Sequence, residues 1–85
     1  MAAMILFLTE DAKKDLKKIG SSEAIRIVRK LETYAENPMA FRKQVKKLQG
    51  QEALRLRIGD YRVLFSESGI VLRVLRIGHR REIYR

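Results

Sequence analysis

The chain has 85 residues, 46% of them hydrophobic and 34% charged, with no cysteine, one histidine and a formal net charge of +9. This length allows a single domain, 1–85, with a small core, and the apolar share is too high for a disordered tail. The absence of cysteine excludes disulfides, thiolate catalysis and a thiolate zinc site, and one histidine gives too few ligands for a histidine-based metal centre, so no cofactor is expected.

Residues 4–8, Met-Ile-Leu-Phe-Leu, form a short apolar run and predict a strand buried on both faces. The opening stretch lacks a basic start and is too short for a signal peptide or a membrane span, so a cytoplasmic location is expected. Thr9 suits a helix N-cap, with Glu10 and Asp11 in a first turn where the helix dipole favours negative charge. Ala12, Leu16 and Ile19 follow at helical spacing, and Gly20 stops that helix. Ser21 or Ser22 starts a second helix whose apolar face is Ala24, Ile25, Val28, Leu31, Tyr34 and Ala35, and Asn37-Pro38 ends it. So short a joint makes the pair a helical hairpin.

Residues 39–51 read as a basic connector, anchored by Leu48 and turned by Gly50. Three strands are predicted near 52–58, 61–67 and 70–77, with Gly59-Asp60 and Glu67-Ser68-Gly69 as the turns between them. The expected architecture is therefore α+β: an N-terminal strand, an α-helical hairpin and an antiparallel β-meander, with both helices on one face of a small sheet. Tyr34, Phe41, Tyr61 and Phe65 are expected in the core rather than as stacking platforms for bases.

Charge is unevenly placed. Residues 1–38 carry 7 Lys/Arg against 6 Asp/Glu, whereas residues 39–85 carry 12 against 4. The strand-rich half thus carries the field, as in a partner of nucleic acid or of an acidic protein; no basic amphipathic helix points to a membrane. In Leu54-Arg55-Leu56-Arg57-Ile58 the two-residue period sends Arg55 and Arg57 to one side and the apolar residues to the other. Arg62 should share their face. Arg73 and Arg76 have opposite parity, so a bulge, a strand end or the helix side must take one of them. A merely solubilising face would use lysine and glutamate as readily as arginine.

The segments Leu54-Arg55-Leu56-Arg57-Ile58-Gly59-Asp60-Tyr61-Arg62-Val63-Leu64-Phe65 and Val74-Leu75-Arg76-Ile77-Gly78-His79-Arg80-Arg81-Glu82-Ile83-Tyr84, with Lys47-Leu48-Gln49-Gly50 ahead of them, resemble the RelE/ParE superfamily of toxins, most closely its RelE branch. The resemblance covers nearly the whole chain and implies a RelE-like toxin of a type II toxin–antitoxin module. It further implies a metal-independent endoribonuclease that cuts mRNA in the ribosomal A site through attack of the 2′-hydroxyl on the adjacent phosphate. A RelB-like, acidic antitoxin would bind and silence it in a hetero-oligomer. The alternative is a ParE-like inhibitor of DNA gyrase without nuclease activity.

Carried onto this sequence, the resemblance implies that Arg62 and Arg80 stabilise transition-state charge. Tyr84 would stack on a base or accept the 2′-hydroxyl proton; apart from the resemblance, His79, as the single histidine, is a rival acid or base. Arg55 and Arg57, joined by Arg81, Lys46 and Lys47, would hold the RNA backbone. Well-known RelE-type toxins have lysines where Arg55 and Arg57 stand. An arginine stays protonated at any working pH, so only an electrostatic role passes to these two positions.

Overall fold

A computed structural model describes residues 4–47, 53–79 and 81. The chain runs through β1 (Ile5–Leu8), α1 (Glu10–Ile19), α2 (Ser21–Glu36), a 3-10 helix (Pro38–Gln44), β2 (Val45–Lys47), β3 (Leu54–Ile58), β4 (Tyr61–Ser68) and β5 (Val71–His79). The strands form one sheet in the order β1-β5-β4-β3-β2, with β1 parallel to β5 and every other pair antiparallel. The α+β architecture expected from the pattern is thus the one observed.

Both helices lie on one face. Ala12, Ile27, Leu31, Tyr34 and Ala35 meet Leu56, Ile58, Val63, Phe65, Leu72, Val74 and Ile77 in a continuous core. The apolar–polar alternation of β3 and β4 produces this directly. Tyr34 and Phe65 are buried, and Phe41 and Tyr61 pack against the core as the sequence predicts.

Three expectations need correction. The first strand is not buried on both faces: Leu6 and Leu8 pack inward, but Ile5 and Phe7 are 55% and 50% exposed. β1 is an edge strand of a sheet with one open face, so alternate side chains meet solvent. On α2 the buried stripe contains Ile27, whereas Ile25 is 54% exposed, because the sheet meets the Ile27–Leu31–Tyr34 line. The basic connector also contains a further strand, β2, whose three residues are too few to show a period.

Thr9 joins the first helix to the sheet. Its Oγ1 accepts the Ala12 N–H at 3.1 Å, capping α1, and donates to the Leu75 carbonyl at 3.0 Å. Leu75 is the residue bulged out of the β4–β5 ladder, where Leu64 pairs with Arg76 but Phe65 pairs with Val74. The bulge reconciles the opposite parities of Arg73 and Arg76, and the Thr9 hydroxyl satisfies the carbonyl it frees. Replacing Thr9 with valine removes cap and anchor together. Chemical denaturation should show a loss of about 1–2 kcal/mol.

At the other end of the core, the Tyr34 hydroxyl donates to Glu67 Oε2 at 3.0 Å. Burial, then the hydrogen bond to Glu67 and its charge, push the Tyr34 phenol well above the ordinary tyrosine range. The folded chain therefore keeps a proton that the unfolded chain releases above about pH 10, and stability falls as pH rises past that point. Absorbance titration should show one tyrosine resisting ionisation until the protein unfolds. In Tyr34→Phe that step and its share of the alkaline destabilisation should both vanish.

Candidate nucleic-acid interface

The register of the sheet brings basic side chains together on the face away from the helices. Arg57 pairs with Arg62, and Lys46 pairs with Arg55. Cross-strand partners lie on the same side, with Cβ atoms about 5 Å apart. Arg55 and Arg57 alternate with the buried Leu56 and Ile58, so all four cations stand on the open side. The adjoining positions of β4 and β5 on this face are Leu64, Ser66, Ser68, Val71, Arg73, Arg76 and Gly78. Among the described residues no carboxylate occupies a position there.

Arg62 is held at the β3–β4 turn. Its Nη1 donates to the carbonyls of Gly59 at 3.3 Å and Tyr61 at 3.2 Å. Gly59 has a φ of 60°, the left-handed conformation glycine adopts without penalty, and this makes the turn tight. Arg57 makes no ion pair with any described residue. Two guanidinium groups directly opposite one another on neighbouring strands repel, which destabilises the sheet. An anion lying between them reverses that sign.

The remaining arginines of β5 have other partners. Arg76 donates from Nε to Asp15 Oδ2 at 2.8 Å and from Nη2 to Asp15 Oδ1 at 3.2 Å. This pairing raises the basicity of Arg76 and engages its charge with α1. Arg73 lies over the Phe7 ring, 5.5 Å from its centroid, at the apolar end of the face beside β1.

Not every candidate joins the cluster. His79 pairs in register with Tyr61 and shares the parity of buried Ile77, so it stands on the helix side of the sheet, across the backbone from Arg62. Its ring meets Tyr61 edge-on at 5.8 Å, and its Nδ1 accepts the Arg81 N–H at 3.2 Å. An accepting Nδ1 leaves the proton of the neutral ring on Nε2. Lys47 pairs with Leu54 and so points to the opposite side from Lys46. Arg81 is exposed. Arg80 and Tyr84, like Leu48 and Gly50, lie outside the described residues. Nothing local in the sequence aligns Lys46 with Arg55, since that requires the pairing of β2 with β3.

Among the described residues no helix is long and apolar enough to cross a membrane. The profile of the ParE toxin family, toxins of the type II parDE toxin–antitoxin system, matches residues 6–84. No curated protein matches the chain in sequence. Solved structures do match. The RelBE2 toxin–antitoxin complex of Mycobacterium tuberculosis contains a chain with a TM-score of 0.79 and 21% identity, the match covering 93% of this chain and 100% of that one. The RelB–RelE antitoxin–toxin complex of Methanococcus jannaschii matches with a TM-score of 0.72 at 26% identity, over 92% and 94%. The isolated RelE toxin of E. coli also scores 0.72 at 26% identity, over 96% and 92%. With nearly its full length matched, the chain belongs to the ParE toxin family and is a type II toxin–antitoxin toxin of the RelE/ParE superfamily.

Proposed function

We propose that this toxin is a ribosome-dependent mRNA endoribonuclease acting in the cytoplasm. The observation that carries the reading is the alignment of Lys46, Arg55, Arg57 and Arg62 on one sheet face that holds no carboxylate among the described residues. A solubilising surface mixes charges of both signs, whereas a phosphodiester site concentrates cations of one sign. In the proposed reaction the substrate 2′-oxygen attacks the adjacent phosphorus and the bond to the 5′-oxygen breaks, leaving a 2′,3′-cyclic phosphate. The 2′-hydroxyl loses a proton and the departing oxygen gains one.

Arg57 and Arg62 stabilise the charge that builds on the phosphoryl oxygens, because a guanidinium forks onto two oxygens at once. Lys46 and Arg55, with Arg81 further out, hold the RNA backbone. Arg80 assists the leaving oxygen. Proton acceptance is assigned to Tyr84 ahead of His79, since the His79 ring lies across the sheet from Arg62. Translation in a cell-free system with primer-extension mapping tests the whole reading: new mRNA ends should appear within codons on adding the toxin. Unaltered ends would refute it.

The family profile favours a second reading, since the family matched is that of ParE toxins. A gyrase inhibitor would block supercoiling by purified gyrase and leave mRNA ends unchanged. In either reading the partner is an antitoxin, as in the RelB complexes of the structural relatives. The basic face calls for an acidic, RelB-like segment in that partner.

A further inference from the structure

A second basic recess lies on the helix side of the β3–β4 turn, away from the open face. Arg26 and Lys30 of α2, Phe41 and Gln44 of the 3-10 helix, and Arg57 and Gly59 line a cavity of about 160 Å³. Arg26 and Lys30 are four residues apart and so share one side of the helix. Lys30 Nζ sits over the Phe41 ring, 5.8 Å from its centroid, and pairs with no described carboxylate. Among the described residues, Arg26 pairs with the half-exposed Glu23 at 3.3 Å.

Gly59 makes room for the Arg26 guanidinium. A Cβ built on Gly59 would meet Arg26 Nη2 at 2.9 Å, so any other residue would displace that group. The carbonyl of the same glycine is held by Arg62 on the open side. One tight turn is thus flanked by a guanidinium on each side, and positive charge continues from the open face round to α2.

We propose that this recess is a phosphate seat, taking one backbone phosphate of bound RNA on the far side of the turn from Arg62. Arg26, a fork donor, Lys30, an ammonium point charge, and Gln44 all line one small concavity. That set suits a tetrahedral anion with several free oxygens better than a planar carboxylate, which one guanidinium satisfies. The choice of RNA rests on the function proposed above, whereas the seat itself rests on the recess.

Two measurements on the full chain test this. Inorganic phosphate titrated into 15N-labelled protein should produce saturable shifts of the Gly59 and Gln44 amides, lost in Arg26→Gln/Lys30→Gln. Binding of a labelled 2′-O-methyl RNA, which cannot be cleaved through its 2′-position, should weaken in that variant by about tenfold at low salt. The slope of log affinity against log salt should shrink by about 0.7, the loss of one single-strand phosphate contact. Lys14→Gln/Lys17→Gln on α1 removes equal charge elsewhere and should stay within twofold of the parent. Absence of phosphate shifts overturns the seat and leaves the proposed function intact. Shifts without RNA affinity in the parent protein overturn the assignment to RNA and the function with it. A double variant that keeps its RNA affinity but loses an acidic antitoxin peptide shows a protein-binding site instead, which also refutes the proposal.

Discussion

Arg62→Ala should lower mRNA cleavage in a programmed translation system by about 10²–10³-fold, the usual consequence of removing a donor aimed at developing charge. Arg57→Ala should fall in the same range, and the double variant should lose less than the product of the two, because both groups serve one phosphate. Stability should respond in the opposite sense at one of the sites. Arg57 faces Arg62 across the ladder and pairs with no described acid, so its removal relieves repulsion and the melting temperature should hold or rise. Arg62 also ties down the Gly59 and Tyr61 carbonyls, so its removal carries a structural cost that Arg57→Ala lacks. Arg57→Ala is therefore the cleaner test. A variant that cleaves poorly while melting no lower than the parent has lost function without losing fold. Arg57→Lys keeps the charge but not the fork and should fall between the two. Cleavage by Arg57→Ala and Arg62→Ala within about threefold of the parent would remove the charge-stabilising role from this face.

Much of this site was legible in the chain because strand alternation is strict. Leu54-Arg55-Leu56-Arg57-Ile58 has only one way to lie on a one-sided sheet, and the helices must cover its leucines. What stayed illegible depends on pairing between distant segments. No local signal aligns Lys46 with Arg55, since β2 is three residues long. His79 is named as a rival acid or base because it is the single histidine of the chain, which says nothing of which face it occupies. Only the register with Tyr61 assigns it to the other side. The mistaken place given to Ile25 has a similar origin: α2 is apolar around more than one stripe, and the sheet decides which stripe is covered.

Asp15 is the clearest case of a residue whose role was hidden, and its replacement should give the largest loss of stability. In sequence it sits within Lys13-Lys14-Asp15-Leu16-Lys17-Lys18, which reads as a solvated helix face. In the fold it is 9% exposed and is the buried charged residue of the described chain. β1 pairs with β5 only as far as Val74, and Asp15 takes over on β5 beyond that point, accepting the Ile77 N–H at 2.9 Å as well as both Arg76 bonds. Asp15→Ala leaves that N–H buried without an acceptor and should cost about 2–4 kcal/mol. A melting temperature lower by about 10–20 °C follows for a domain of this size. Asp15→Asn keeps an acceptor for Ile77 and should lose roughly half as much. Most of the effect belongs to the Ile77 bond, since Arg76 is more than half exposed and water screens its share. The pH dependence separates these contributions. Burial alone would push the Asp15 carboxyl up, but the hydrogen bonds from Arg76 and Ile77, with the charges of Arg76 and Lys18, outweigh it and hold the group below its ordinary value of 3.8. The unfolded chain therefore takes up the proton first as pH falls. The stabilisation is complete above about pH 5 and is lost as pH falls through the unfolded and then the folded value. Denaturation midpoints measured from pH 7 to pH 2 should show the parent and Asp15→Asn converging in acid. A gap that stays constant over that range would mean that the carboxylate charge contributes nothing and that Asp15 acts only as a neutral acceptor on the sheet edge.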